Sequence, residues 1–199
     1  MHFTLTDLVT DITQNGIESG GSLVELRISE TVDALPPGAT GRGEFRFTVV
    51  DNGKGMSSEE LKRAQDPFVT DGIKHPNRKV GLGLPFLIQT AELSGGGWKM
   101  ESKKRETAET AACGTTVSAW FDLGNVDTPP VGHIPGMFRT VLLFGGPAEI
   151  VIHRTREAPG VHIDYELRKT ELIDALGDLE DTQSIILLDQ YLRSLESEE

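Results

Sequence analysis

The sequence predicts an α+β fold in which one mostly antiparallel sheet is covered by helices on one face, with a C-terminal α/β extension. Three observations predict it. Apolar residues recur at helical spacing at Leu5, Leu8 and Ile12; several segments alternate apolar and polar residues as strands do; and glycine clusters stand where one kind of pattern gives way to the other. Helices gathered around paired strands, with no regular strand-helix-strand alternation, point to a layer of helices on an antiparallel sheet.

In chain order, Leu5, Leu8, Ile12, Asn15 and Ser19 share one helical face, and "SGGS" from Ser19 to Ser22 supplies a stop. The spacing predicts a helix of about four turns. "LVELRISE" and "EFRFTVV" alternate as the strands of an antiparallel hairpin, with "ALPPGATGRG" as its long connection. "DNGKGM" closes the second strand. "SSEELKRA" has the Ser-x-x-Glu spacing of a helix start, with Ser57 or Ser58 as cap. "DPFVTDGIKHPNRKV" has two prolines and no period, and reads as an ordered but mobile loop. After "GLGLP" the stretch "FLIQTAELSGGG" predicts a helix that opens at the glycines, and "GWKMES" and "TTVSAWFDL" are two further strands. The expected organisation is a first domain over 1–123, a linker over 124–137 and an extension over 138–199, packed on the first domain or used for association. Within the extension "FRTVLLF", "AEIVIHR" and "VHIDYEL" are strand candidates, while "KTELIDALGD" and "TQSIILLDQYLRSLESEE" are helical.

Bulk properties exclude several function classes. With 199 residues, 37% hydrophobic and 25% charged, the chain has the composition of a globular protein with a sizeable core. A formal net charge of −12 argues against nucleic acid as a partner, because phosphate binding along a polyanion needs surplus Lys and Arg. No basic start followed by an apolar run, and no apolar run of membrane-spanning length, is present, so no membrane partner is expected. The single cysteine, Cys113, excludes an internal disulfide and fits a cytoplasmic location.

Two glycines two apart in "DNGKGM" admit a tight turn or a close approach of backbone to a ligand. Those six residues alone leave both open. "GLGLP" exposes backbone N–H groups at a helix start, which is an anion site in principle. On the first helix, Asp11, Asn15 and Glu18 lie on one side at helical spacing. They read either as a solvated face or as a water-activating carboxylate with an oxygen ligand for Mg²⁺.

Taken in order, "DITQNGIESGGS", "DNGKGM", "DPFVTDGIKHPNRKVGLGLPFL", "LSGGGWKMES" and "GTTVSAW" resemble the motifs of the GHKL ATPase superfamily, which includes gyrase B subunits, heat-shock chaperones, histidine kinases and MutL proteins. The resemblance covers about the first 123 residues and implies a Bergerat-type α/β sandwich that binds ATP with Mg²⁺. By that resemblance Asp51 accepts a hydrogen bond from the adenine amino group, Gly53 and Gly55 let the loop lie against the base, and Thr115 supports the same network. Asn15 holds Mg²⁺. Gly81, Leu82, Gly83 and Leu84 form the phosphate turn, and the segment from Asp66 to Val80 corresponds to the lid. Its Lys74, Arg78 and Lys79 are the cations available to the outer phosphates, although each reads equally well as a solvated loop charge.

One departure bears on turnover. Hydrolysing members of the superfamily place Glu four residues before the metal-binding Asn, whereas this chain has Asp11, shorter by one methylene or about 1.5 Å. Misplacement of about 1 Å costs on the order of a hundredfold in rate, so Asp11 is expected to be a weak general base. None of the five histidines lies in the setting of a phosphoacceptor, so an autophosphorylating histidine kinase is not expected. The expectation is a regulatory ATP-binding module acting on a protein partner, the alternative a slow ATPase or a kinase acting in trans. A narrower resemblance is to stand-alone histidine-kinase-like ATP-binding proteins encoded beside iron hydrogenase subunits in anaerobic bacteria. It rests on the near-terminal helix, the "DPFVT" to "RKVGLGLP" segment and the length of the tail. Finally, Ile185, Leu188, Leu192 and Leu195 form a stripe on the last helix, which packs on the protein's own strands or pairs two chains into a homodimer.

Overall fold

The computed structural model describes residues 4–33, 43–65, 83–106, 113–146 and 148–197. Helix α1 (Leu5–Glu18) begins at a reciprocal cap. The Thr4 hydroxyl accepts the Asp7 N–H at 3.3 Å, and the Asp7 carboxylate accepts the Thr4 N–H at 2.9 Å. The helix stops at Gly20, whose φ of 79° lets its N–H turn back to the Ile17 carbonyl.

Strands β1 (Leu23–Val32) and β2 (Gly43–Asp51) pair antiparallel, as their alternation predicts. Helix α2 (Ser58–Gln65) follows, capped by Ser57, whose hydroxyl accepts the Glu60 N–H while Glu60 accepts the Ser57 N–H. Lys104 adds an ion pair at 3.0 Å, and these partners hold the Glu60 carboxyl down at about 2. Helix α3 (Gly83–Leu93) leads into β3 (Gly97–Lys103) and β4 (Gly114–Asp122). The remaining elements are α4 (Ile134–Leu142), β5 (Glu149–Ala158), β6 (Val161–Arg168), α5 (Lys169–Leu176) and α6 (Thr182–Glu196).

The six strands form one sheet in the order β3-β4-β2-β1-β5-β6. β1 and β5 are parallel and the other neighbours antiparallel, giving the mixed α+β sandwich that the sequence predicts. Register aligns Leu26, Val49, Val117 and Ile152 across four strands, and Phe47 with Ala119, on the face that meets the helices. Leu8, Val9 and Ile12 of α1, Leu87 of α3, Phe138 of α4 and Leu188 of α6 are buried in the same core. The fully buried Phe45 and Phe47 rings pack against Phe121, with ring centroids 6.4 and 6.3 Å apart, and truncating one such ring costs about 3–5 kcal/mol. The opposite face carries Arg27, Arg46 and Lys99, with the Arg46 guanidinium 4.9 Å from the Trp120 ring centre. Alternation of this kind is what a sheet covered on one side requires.

One sequence expectation changes. "FRTVLLF" reads as a strand from its aromatic and branched residues, yet Phe138 to Leu142 are helical. His133 accepts the Gly136 N–H through Nδ1 at 2.9 Å, Pro135 sits in the first turn, and Met137, Phe138, Val141 and Leu142 are buried while Arg139 and Thr140 face outward. The segment 124–137 runs against the start of α1, where Leu5 and Thr6 donate to the Pro130 and Val131 carbonyls at 3.0 and 2.9 Å, and it contains the first turn of α4.

Beyond the apolar core, Arg154 is 1% exposed. It donates to Glu30 of β1 at 2.7 Å and Glu196 of α6 at 3.1 Å, and the Tyr165 hydroxyl also donates to Glu196 at 2.6 Å. Burial and the Glu196 carboxylate push the Tyr165 phenol well above its usual range. The α6 stripe turns inward: Leu188 and Leu192 are fully buried and Leu195 packs on the core, while Ile186, Leu187 and Tyr191 face solvent. Among the described residues no helix is long and apolar enough to cross a membrane.

Candidate functional site

Asp51 is the last residue of β2 and continues the inward row of Phe45, Phe47 and Val49. Register sets it between Val24 and Thr115, so its carboxylate lies under the helical layer and is 7% exposed. Oδ1 accepts the Ser19 hydroxyl at 2.9 Å and the Gly53 N–H at 2.8 Å. Burial raises the Asp51 pKa, and the bonds from Gly53, Ser19 and the Thr115 backbone oppose that rise. A buried carboxylate with neutral donors on one oxygen is an acceptor held in a fixed orientation.

The glycines of "DNGKGM" are required by close approach. A Cβ on Gly53 would lie 1.8 Å from Ser19 Oγ, and one on Gly55, where φ is 59°, would lie 1.9 Å from the Lys103 carbonyl oxygen. Asn52 Oδ1 accepts the Ser22 and Leu23 N–H groups at 2.8 and 3.0 Å, tying the loop to the start of β1. On the other flank Arg105 donates to the Asn52 carbonyl at 2.9 Å, and its N–H donates to the Lys54 carbonyl. Thr115 shares a hydroxyl bond of 2.9 Å with Ser102 of β3, which also accepts the Met56 N–H at 2.8 Å.

The second cluster forms where α3 begins against α1. A Cβ on Gly83 would stand 3.6 Å from Asp11 Cβ and 3.8 Å from Asn15 Nδ2, which brings the first residue of α3 beside the polar face of α1. Asp11 and Asn15 are exposed. Glu18, on the same side, accepts Gln14 Nε2 at 2.8 Å instead. Leu84 is half-buried and packs on the core, anchoring the helix start. Lys74, Arg78, Lys79, Gly81 and Leu82 lie outside the described residues, as does the segment 66–80.

One helix therefore serves both clusters. Asn15 and Ser19 are one turn apart, about 6 Å along the axis of α1. Ser19, Asn52 and Ser102 are residues that the sequence reading missed as site components. Ser19 appears in sequence as the end of a helical face and the start of a glycine stop, and its partner Asp51 is 32 positions away.

The model of the histidine kinase-, DNA gyrase B- and HSP90-like ATPases matches residues 3–125, and the chain belongs to that family. It is an ATP-binding protein of the GHKL type. Nitrogen regulation protein NtrY of Azorhizobium caulinodans is 31% identical over 80 residues, which cover 35% of this chain and 10% of that protein. The chain thus matches about a tenth of that relative's length.

Proposed function

We propose that the protein binds Mg²⁺·ATP with adenine against Asp51, and that the nucleotide it holds controls its affinity for a protein partner. The observation that carries this reading is the fixed acceptor at the end of β2, joined by α1 to the Asp11, Asn15 and Gly83 cluster. The adenine amino group donates to the Asp51 oxygen that Ser19 and Gly53 leave available. Gly83 and Leu84 offer N–H groups to phosphate oxygens at the start of α3. The Asn15 carboxamide suits Mg²⁺, a hard cation that takes one or two protein oxygens and completes its shell with phosphate and water. Bound Mg²⁺ supplies neutralisation of phosphate charge.

Lys74, Arg78 and Lys79 form charge-assisted bonds that a γ-phosphate accepts and ADP does not offer. This difference makes the partner's affinity depend on the nucleotide. Within the family, the "DPFVT" to "RKVGLGLP" motifs favour the histidine-kinase-like ATP-binding proteins encoded beside iron hydrogenase subunits. A second reading is a slow ATPase, or a kinase acting in trans. It is favoured by Asp11, whose Oδ2 lies 3.9 Å from a Cβ placed on Gly83. Calorimetry with Mg²⁺·ATP and Mg²⁺·ADP, followed by capture of partners with a non-hydrolysable ATP analogue or ADP, tests the proposal. Equal capture with both nucleotides would remove the regulatory reading.

A further inference from the structure

The end of α1 does more than stop a helix. Ser19 is its C-terminal capping residue, and the Ser19 backbone carbonyl accepts the Lys54 N–H at 3.2 Å while its hydroxyl donates to Asp51 Oδ1 at 2.9 Å. Gly53 packs so closely on this side chain that any β-carbon there would collide with Ser19 Oγ. The hydroxyl is thus enclosed between the helix end, the glycine loop and the carboxylate. We propose that Ser19 is a positioning residue of the adenine site, whose hydroxyl keeps Asp51 a hydrogen-bond acceptor and so selects a 6-amino purine over a 6-oxo purine.

This inference rests on the adenine reading given above and adds the residue that sets its specificity. The chemistry is direct. Adenine presents an amino donor at C6, which an ionised carboxylate accepts; guanine presents a carbonyl oxygen, which the same carboxylate repels and to which a protonated carboxyl would donate its O–H. Burial favours the protonated form of Asp51, and the Ser19 hydroxyl opposes that tendency by donating to the charged form. The other groups that oppose it are the Gly53 and Thr115 N–H donors. The charged side chains of the neighbouring segments include Glu18 on α1, Lys54 in the loop and Arg105 after β3, and Val24 faces Asp51 from β1. Among the described residues Ser19 is the side chain that donates a hydrogen bond to Asp51.

The test compares the parent protein with Ser19→Ala by two readouts. Carbon-detected NMR of the nucleotide-free proteins follows the Asp51 carboxyl through an acid titration; calorimetry measures ATP and GTP affinities over the same range. In Ser19→Ala the carboxyl titrates at higher pH, the acid limb of ATP binding moves with it, and the preference for ATP over GTP along that limb falls by about tenfold, the worth of one bond to a charged acceptor. Titration of the nucleotide itself is common to both proteins and cancels. A carboxyl that titrates identically in both proteins, or an affinity loss that is uniform over pH and equal for ATP and GTP, would overturn the role of Ser19. A titration that moves in a parent protein without measurable ATP affinity would instead overturn the adenine reading, and the specificity role with it.

Discussion

Asp51→Asn separates binding from stability. The carboxylate offers two oxygens, and Oδ1 is committed to Ser19 at 2.9 Å and Gly53 at 2.8 Å. An amide has one oxygen. If it stays with those donors, its NH₂ faces the adenine amino group, donor against donor; if it turns, the NH₂ faces Ser19 and Gly53. Either way a bond to a charged acceptor is lost, worth about 1.5–3 kcal/mol, so ATP affinity falls about ten- to a hundredfold. Stability moves the other way. Burial raises the folded-state pKa of Asp51 above its unfolded value. Its contribution is therefore most favourable below the unfolded pKa and declines as pH rises through the folded pKa, which leaves an ionisation penalty at neutral pH. Removing the charge should leave the nucleotide-free variant at least as stable as the parent at pH 7. Calorimetry and urea unfolding measure the two effects. Unchanged ATP affinity would remove Asp51 from the site, and a marked loss of stability would show that the variant had damaged the fold.

Asn15→Ala should remove the Mg²⁺-dependent part of ATP affinity and leave binding in EDTA nearly unchanged, since one oxygen ligand is lost; equal losses in both conditions would implicate α1 itself. Asp11→Glu should accelerate single-turnover hydrolysis by restoring the missing methylene, and Asp11→Asn should slow it while preserving ATP binding. An Asp11→Asn protein that hydrolyses at the parent rate would take Asp11 out of the chemistry. Arg154→Met deprives two carboxylates, Glu30 and Glu196, each 12% exposed, of their shared cation. The expected cost is about 3–5 kcal/mol in urea unfolding, and a loss under about 1 kcal/mol would show that Arg156, 3.5 Å from Glu30, takes over.

Much of this protein was legible in its sequence because the relevant signals are local. Alternation in "EFRFTVV" assigns Phe45, Phe47 and Val49 to one face whatever strand lies beside them, and the same count carries Asp51 onto that face. Closely spaced glycines mark where backbone must pass close to something, and Asp11 and Asn15 are on one side of a helix by spacing alone. The short stretch from Phe138 to Phe144 carried no such decisive pattern. Its aromatic and branched residues suit a strand or a buried helix equally, and burial against α1 and α6 with a His133 cap decided for the helix. Tertiary structure alone placed β5 parallel beside β1, since alternation says which face a residue takes and nothing of which strand is its neighbour. It likewise brought Ser19 to Asp51, and Arg154 to Glu30 and Glu196, across 32, 124 and 42 positions. Side-chain types and periodicity determine what a segment can bury or bind; which partner it meets is set when the whole chain closes around one core, and no local pattern encodes that choice.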